Sequence, residues 1–150
     1  MNFRLSLRLF SLVLILLTSS LSHSITLEQT IPSPILALTN VEAVESEKKP
    51  FVRYYFKVEN YEAYPAELFA PAPALPPCGL NKNASRTWVD FYDSSGKRLY
   101  GFCALAKPAD LTKLWFALDA DVVPPSYVYI ELTDRQTGAK YKSNLAETTQ

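Results

Sequence analysis

Two cysteines, a thin scatter of carboxylates and one histidine are the residues of this chain that could carry chemistry. Nucleophilic catalysis needs a base beside the nucleophile, usually an imidazole. The histidine, His23, falls in a leader-like segment that maturation would remove. A Ser–Lys pair could replace it, but Ser95-Gly96-Lys97 sits in a turn-forming run. The same shortage of imidazole and thiolate excludes the usual zinc and copper sites. No metal and no cofactor is expected, because four glycines in all include no phosphate-cradling loop and no dinucleotide fingerprint.

Carboxylates remain. Asp90 and Asp93 are three apart on one expected strand and point to opposite faces, and Glu131 and Asp134 have the same problem at a strand end. Acids for glycan cleavage can also come from separate strands, so a small carboxylate-dependent glycan hydrolase stands as an alternative reading. Asp119 and Asp121 share a loop and could hold calcium, although two carboxylates fall short of the full ligand set. Asn83-Ala84-Ser85 fits the N-glycosylation acceptor pattern, relevant in a eukaryotic host.

The elements that must position these residues are strands. Ile35 to Val44 forms a first one. Phe51 to Glu59 is the cleanest, with Val52, Tyr54, Phe56 and Val58 alternating against Arg53, Tyr55 and Lys57. Residues 63–77 carry five prolines, which a central strand cannot accommodate. They read as an extended crossover strapped over one sheet, with a brief edge pairing near Leu68-Phe69. Thr87 to Asp93 and Lys97 to Leu105 make a hairpin around Asp93-Ser94-Ser95-Gly96, and Tyr127 to Thr133 and Ala139 to Asn144 a second around residues 134–138. Between them, Leu111 to Leu118 fits either a helical or a strand period. A short turn opened by Pro108 and Asp110, followed by a strand, is expected there.

Seven strands in this order, with a long second crossover, resemble the immunoglobulin and fibronectin type III sandwiches. Pro124-Pro125 followed by Tyr127-Val128-Tyr129-Ile130 looks like their tyrosine corner. The resemblance implies that strands three, four and six share a sheet. On its outer face, strand parity gathers Trp88, Asp90, Tyr92, Arg98, Tyr100, Phe102, Tyr129 and Glu131 as a candidate partner surface. The segments Leu75-Pro76-Pro77-Cys78-Gly79-Leu80-Asn81, Ser85 to Asp90 and Leu99 to Leu105 are similar to an uncharacterised group of small exported bacterial proteins. That similarity implies no activity.

At the N-terminus, Arg4 and Arg8 precede the apolar run Leu9 to Leu17, and Ser22-His23-Ser24 closes it. This is the layout of a cleavable secretory signal over 1–24, too short in its apolar part for a comfortable membrane span. Cleavage leaves 126 residues: a flexible lead-in at 25–34, one all-β sandwich domain at 35–146 and a tail at 147–150. Losing Arg4 and Arg8 takes 15 basic residues to 13 against 15 acidic, a net charge of about −2 that gives no drive toward nucleic acid or anionic lipid. In an oxidising compartment Cys78 and Cys103 pair, and closing their 24-residue loop stabilises the fold by about 3 kcal/mol. The expectation is a secreted or periplasmic, non-enzymatic sandwich that binds a protein or glycan partner at the cell envelope. A structural or assembly subunit is the third reading, signalled by an exposed apolar edge strand.

Overall fold

Period-two alternation turns into strands almost wherever the sequence shows it. A computed structural model describes residues 30–46, 49–78 and 84–149, so the leader at 1–24 and the Asn83 acceptor lie outside the described residues. Eight strands form among the described residues: β1 (Leu36–Ser46), β2 (Lys49–Val58), β3 (Thr87–Asp93), β4 (Arg98–Phe102), β5 (Leu114–Asp119), β6 (Tyr127–Asp134), β7 (Lys140–Lys142) and β8 (Ala146–Glu147). They build two antiparallel sheets, β1-β2-β5 and β4-β3-β6-β7, with β8 also paired to β6. The expected seventh strand, Ala139 to Asn144, is shortened to β7, and an unexpected short strand, β8, follows; between them Ser143 Oγ accepts from the Ile130 N–H. Strands three, four and six do share a sheet.

The core lies between the sheets. Tyr54, Phe56 and Val58 of β2 and Leu114 and Phe116 of β5 meet Val89 and Phe91 of β3 and Val128, Ile130 and Leu132 of β6. Phe56, Phe91 and Phe116 form a triangle of rings with centroids 5.3 to 5.7 Å apart. Fully burying such side chains stabilises by about 2 kcal/mol each. Both hairpin turns carry glycine where the backbone goes left-handed, Gly96 at φ +88° and Gly138 at φ +79°. At the first, Asp93 accepts hydrogen bonds from the Ser95 and Lys97 N–H groups and from Ser95 Oγ. The ambiguous segment resolves as a 3-10 turn over Pro108–Thr112 and then β5.

The crossover differs from its expected course. Leu68 and Phe69 pair with no strand; they sit in a 3-10 turn over Ala66–Phe69 that drops both side chains into the core. Edge pairing comes after them, at the Pro71–Ser85 bridge and the bonds Arg86 N–H to Ala70 O and Ala72 N–H to Ala84 O. The strap thus lies along the chain leading into β3. Cys78 and Cys103 form a disulfide with a Cα separation of 6.0 Å that fixes its far end to the end of β4.

The sandwich also extends past both expected limits of 35 and 146. On the lead-in, Ile31 packs against the core and Tyr64 donates to Pro32 O at 2.8 Å, so residues 31–34 are held; 25–29 lie outside the described residues. In the tail, Glu147 belongs to β8 and the buried Thr148 donates its hydroxyl to Pro125 O. The tyrosine corner does not form: Tyr127 is exposed and bonds the Glu147 carboxylate instead of upstream backbone.

Candidate functional site

The outer face of the five-stranded sheet is built by register. Asp90 lies opposite Glu131, Tyr92 opposite Tyr129 and Trp88 opposite Thr133, while β7 adds Lys142 opposite Glu131 and Lys140 opposite Thr133. Tyr92 and Tyr129 stack with centroids 5.3 Å apart and an interplanar angle of 17°. Lys142 Nζ stands 3.9 Å from the centre of the Tyr129 ring, and the Arg135 guanidinium 3.9 Å from that of Trp88. Arg98 Nε donates to Asp90 Oδ1 at 2.7 Å and Lys140 Nζ to Glu131 Oε1 at 2.8 Å. Desolvation, and then the two carboxylates, raises the Tyr92 phenol above its ordinary pKa, so it stays a neutral donor.

Six of the eight residues expected on this face are there: Trp88, Asp90, Tyr92, Arg98, Tyr129 and Glu131. Tyr100 and Phe102 are not. A register shift lies between Phe91 and Tyr92, so Arg98 faces Tyr92 while Tyr100 faces Phe91 and Phe102 faces Val89. The extra residue, Leu99, inverts parity along β4 and swings both rings to the core side. There they meet Trp115 of β5, with centroids 5.0 and 6.2 Å away, and Phe102 reaches Phe91. The same inversion puts Gly101 on the outer face, where a Cβ would collide with the Arg98 guanidinium and the Asp90 carboxylate. Glycine is therefore what lets that ion pair lie across β4.

Strand parity missed the cations. Lys140, Lys142 and Arg135 complete the face, and the alternation of Lys140 and Lys142 around the half-buried Tyr141 was the signal for two of them. It also missed a cluster on the opposite sheet. There Arg53 lies 4.7 Å from the centre of the Trp115 ring and donates to Tyr55 Oη, which donates to Glu42.

The strap does not cover the face as a lid. Its end reaches the Trp88 side, where Arg135 donates to Pro76 O, and both Trp88 and Tyr129 are half-buried. A groove of about 390 Å³ runs along the strap between Glu67, Pro73, Arg86 and Gln136. A second cleft, about 400 Å³, lies beside Thr39, Tyr55 and Trp115. Neither includes Asp90 or Glu131. Those two acids are cross-strand neighbours, the arrangement that could pair carboxyls from separate strands. Each is ion-paired, Asp90 to Arg98 and Glu131 to Lys140. Asp119 and Asp121 line a third cleft together with Lys49 and Pro50. Among the described residues no three His, Cys, Asp or Glu side chains gather as metal ligands. The spacings Ser46 to Lys49 and Ser94 to Lys97 match Ser-x-x-Lys, but both fall at hairpin turns.

A different polar cluster holds the strap end together. Arg86 grips Asp134 with two bonds of 2.7 and 2.6 Å, and Thr137 Oγ1 and the Gln136 N–H also donate to that carboxylate. The Arg86 guanidinium foremost, and then these turn donors, hold the Asp134 carboxyl far below the usual range. No family model matches the chain, and no curated protein and no solved structure matches it either.

Proposed function

We propose that this chain is an exported, non-enzymatic β-sandwich that binds a protein or glycan partner at the cell envelope through the outer face of its five-stranded sheet. One observation carries the reading. Rings and ion pairs on that face are set in fixed positions by strand register, with Asp90 and Glu131 each held by a cation. Half-buried aromatics flanked by charges are a common make-up of partner surfaces, since they give contact area at low entropic cost. Export is supported by the leader-like segment 1–24 and by the Cys78–Cys103 disulfide, which persists in oxidising compartments. No helix among the described residues is long and apolar enough to cross a membrane.

The test is capture from envelope extract by immobilised wild type and by a Tyr92→Ala, Tyr129→Ala double variant, with thermal melts confirming that both are folded. A partner retained by wild type and lost by the double variant is the expected outcome. Equal recovery by the two folded proteins would remove the face from the account.

A further inference from the structure

The Lys142 side chain is exposed, rests on the Tyr129 ring and has no carboxylate partner among the described residues. Its neighbours on the face show how charge is layered with depth. In the pair Arg98–Asp90 the cation is 60% exposed and the acid 16%; in Lys140–Glu131 the values are 60% and 20%. In both pairs the acid is the shielded partner and the cation the exposed one. A partner approaching this sheet therefore meets Arg98, Lys140 and Lys142 first, although two of the three are formally neutralised. With Arg135, the face carries four cations against Asp90 and Glu131, while the whole chain has 15 basic and 15 acidic residues. The face thus carries a local excess of cations on a mature chain whose net charge is about −2. Such segregation steers a partner of opposite sign.

The rings add a second constraint. A sugar gains most from stacking on an open aromatic face, and two of these three rings already carry a cation. Tyr129 has Tyr92 on the β3 side and the Lys142 ammonium on the β7 side, and Trp88 carries the Arg135 guanidinium. Contact on this face is therefore weighted toward the tyrosine hydroxyls and the exposed cations rather than open ring faces. We infer that the partner of this face is a protein whose docking surface is acidic, its carboxylates meeting the exposed Arg98, Lys140 and Lys142. This rests on the proposed partner face and narrows it from protein or glycan to one class.

The experiment is an amide NMR titration of the oxidised full chain, at low salt, with a hexaglutamate peptide and separately with oligogalacturonate, an anionic glycan. Peptide-induced shifts confined to β4, β6 and β7 are expected, and a Lys140→Gln, Lys142→Gln double variant should bind at least about fivefold more weakly. Both lysines are exposed at a strand end, so the variant should fold; a Lys142→Gln single variant, weakened about two- to threefold, serves if it does not. Shifts spread equally over Lys57, Lys107 and Lys113, or affinity unchanged in the variants, would overturn the inference. Tighter binding of oligogalacturonate at the same face would also overturn it, while leaving the binding-module reading standing. Silence of the face toward both probes would overturn it too, and envelope capture would then decide the broader reading separately.

Discussion

Tyr100, Phe102 and Trp115 at the β4–β5 edge and Trp88, Tyr92 and Tyr129 on the outer face are drawn from the same residue types. At the edge, rings meet rings and continue the core through Phe91, with Arg53 over the Trp115 ring alone. On the face, two of the three rings are covered by a cation, and two ion pairs lie between the rows. Aromatic content therefore does not mark a partner surface; what the rings touch does. The ion pairs divide in the same way. Asp134 is 3% exposed and receives four hydrogen bonds, while the pairs on the face lift their cations into solvent.

Breaking the buried pair should have the largest effect. Asp134→Ala strands Arg86 and opens the turn, at a cost of about 3 kcal/mol in denaturant unfolding at pH 7, whereas Asp90→Ala costs below about 1 kcal/mol. The pH dependence has a definite sign. A carboxyl held below its unfolded value stabilises the fold fully above about pH 4, and loses that contribution as pH falls toward the native value. Wild type and Asp134→Ala should therefore converge in stability between about pH 4 and pH 2. A gap that stays constant to pH 2 would separate Asp134 from this linkage.

Next comes the ring contrast. Phe102→Ala removes a side chain packed on Phe91 and Trp115 and should cost about 2 kcal/mol, with Tyr129→Ala nearer 0.5 kcal/mol. Similar melting shifts for the two would erase the distinction between edge and face. Gly101→Ala is the subtlest. Its Cβ displaces the ends of two flexible side chains, so stability should fall by less than about 1 kcal/mol while the Arg98–Asp90 pair is lost. A crystal structure of that variant with the pair intact would show that the glycine does not set it.

Much of the fold was legible in the residues. The alternation at 51–59, the turn chemistry of Asp93 and Gly96, and the Pro108–Asp110 turn are all encoded within a few neighbours. So was the outward set on β3 and β6, where parity runs unbroken. What the sequence hid is non-local. One extra residue in β4 inverted the placement of Tyr100 and Phe102, and a bulge has no fixed signature in one strand alone. Arg86 and Asp134 are 48 residues apart, and the bonds that hold the lead-in and tail, Tyr64 to Pro32 and Thr148 to Pro125, span 32 and 23. No periodicity reports such pairs.

Hydroxyl-radical footprinting of the captured complex tests the central claim most directly, because tyrosine and tryptophan side chains report their own protection. Partner binding should protect Tyr92 and Tyr129 and leave Tyr100 and Trp115 as reactive as in the unbound chain. Protection of Tyr100 and Trp115, with Tyr92 and Tyr129 unchanged, would place the partner on the β4–β5 edge and contradict the account.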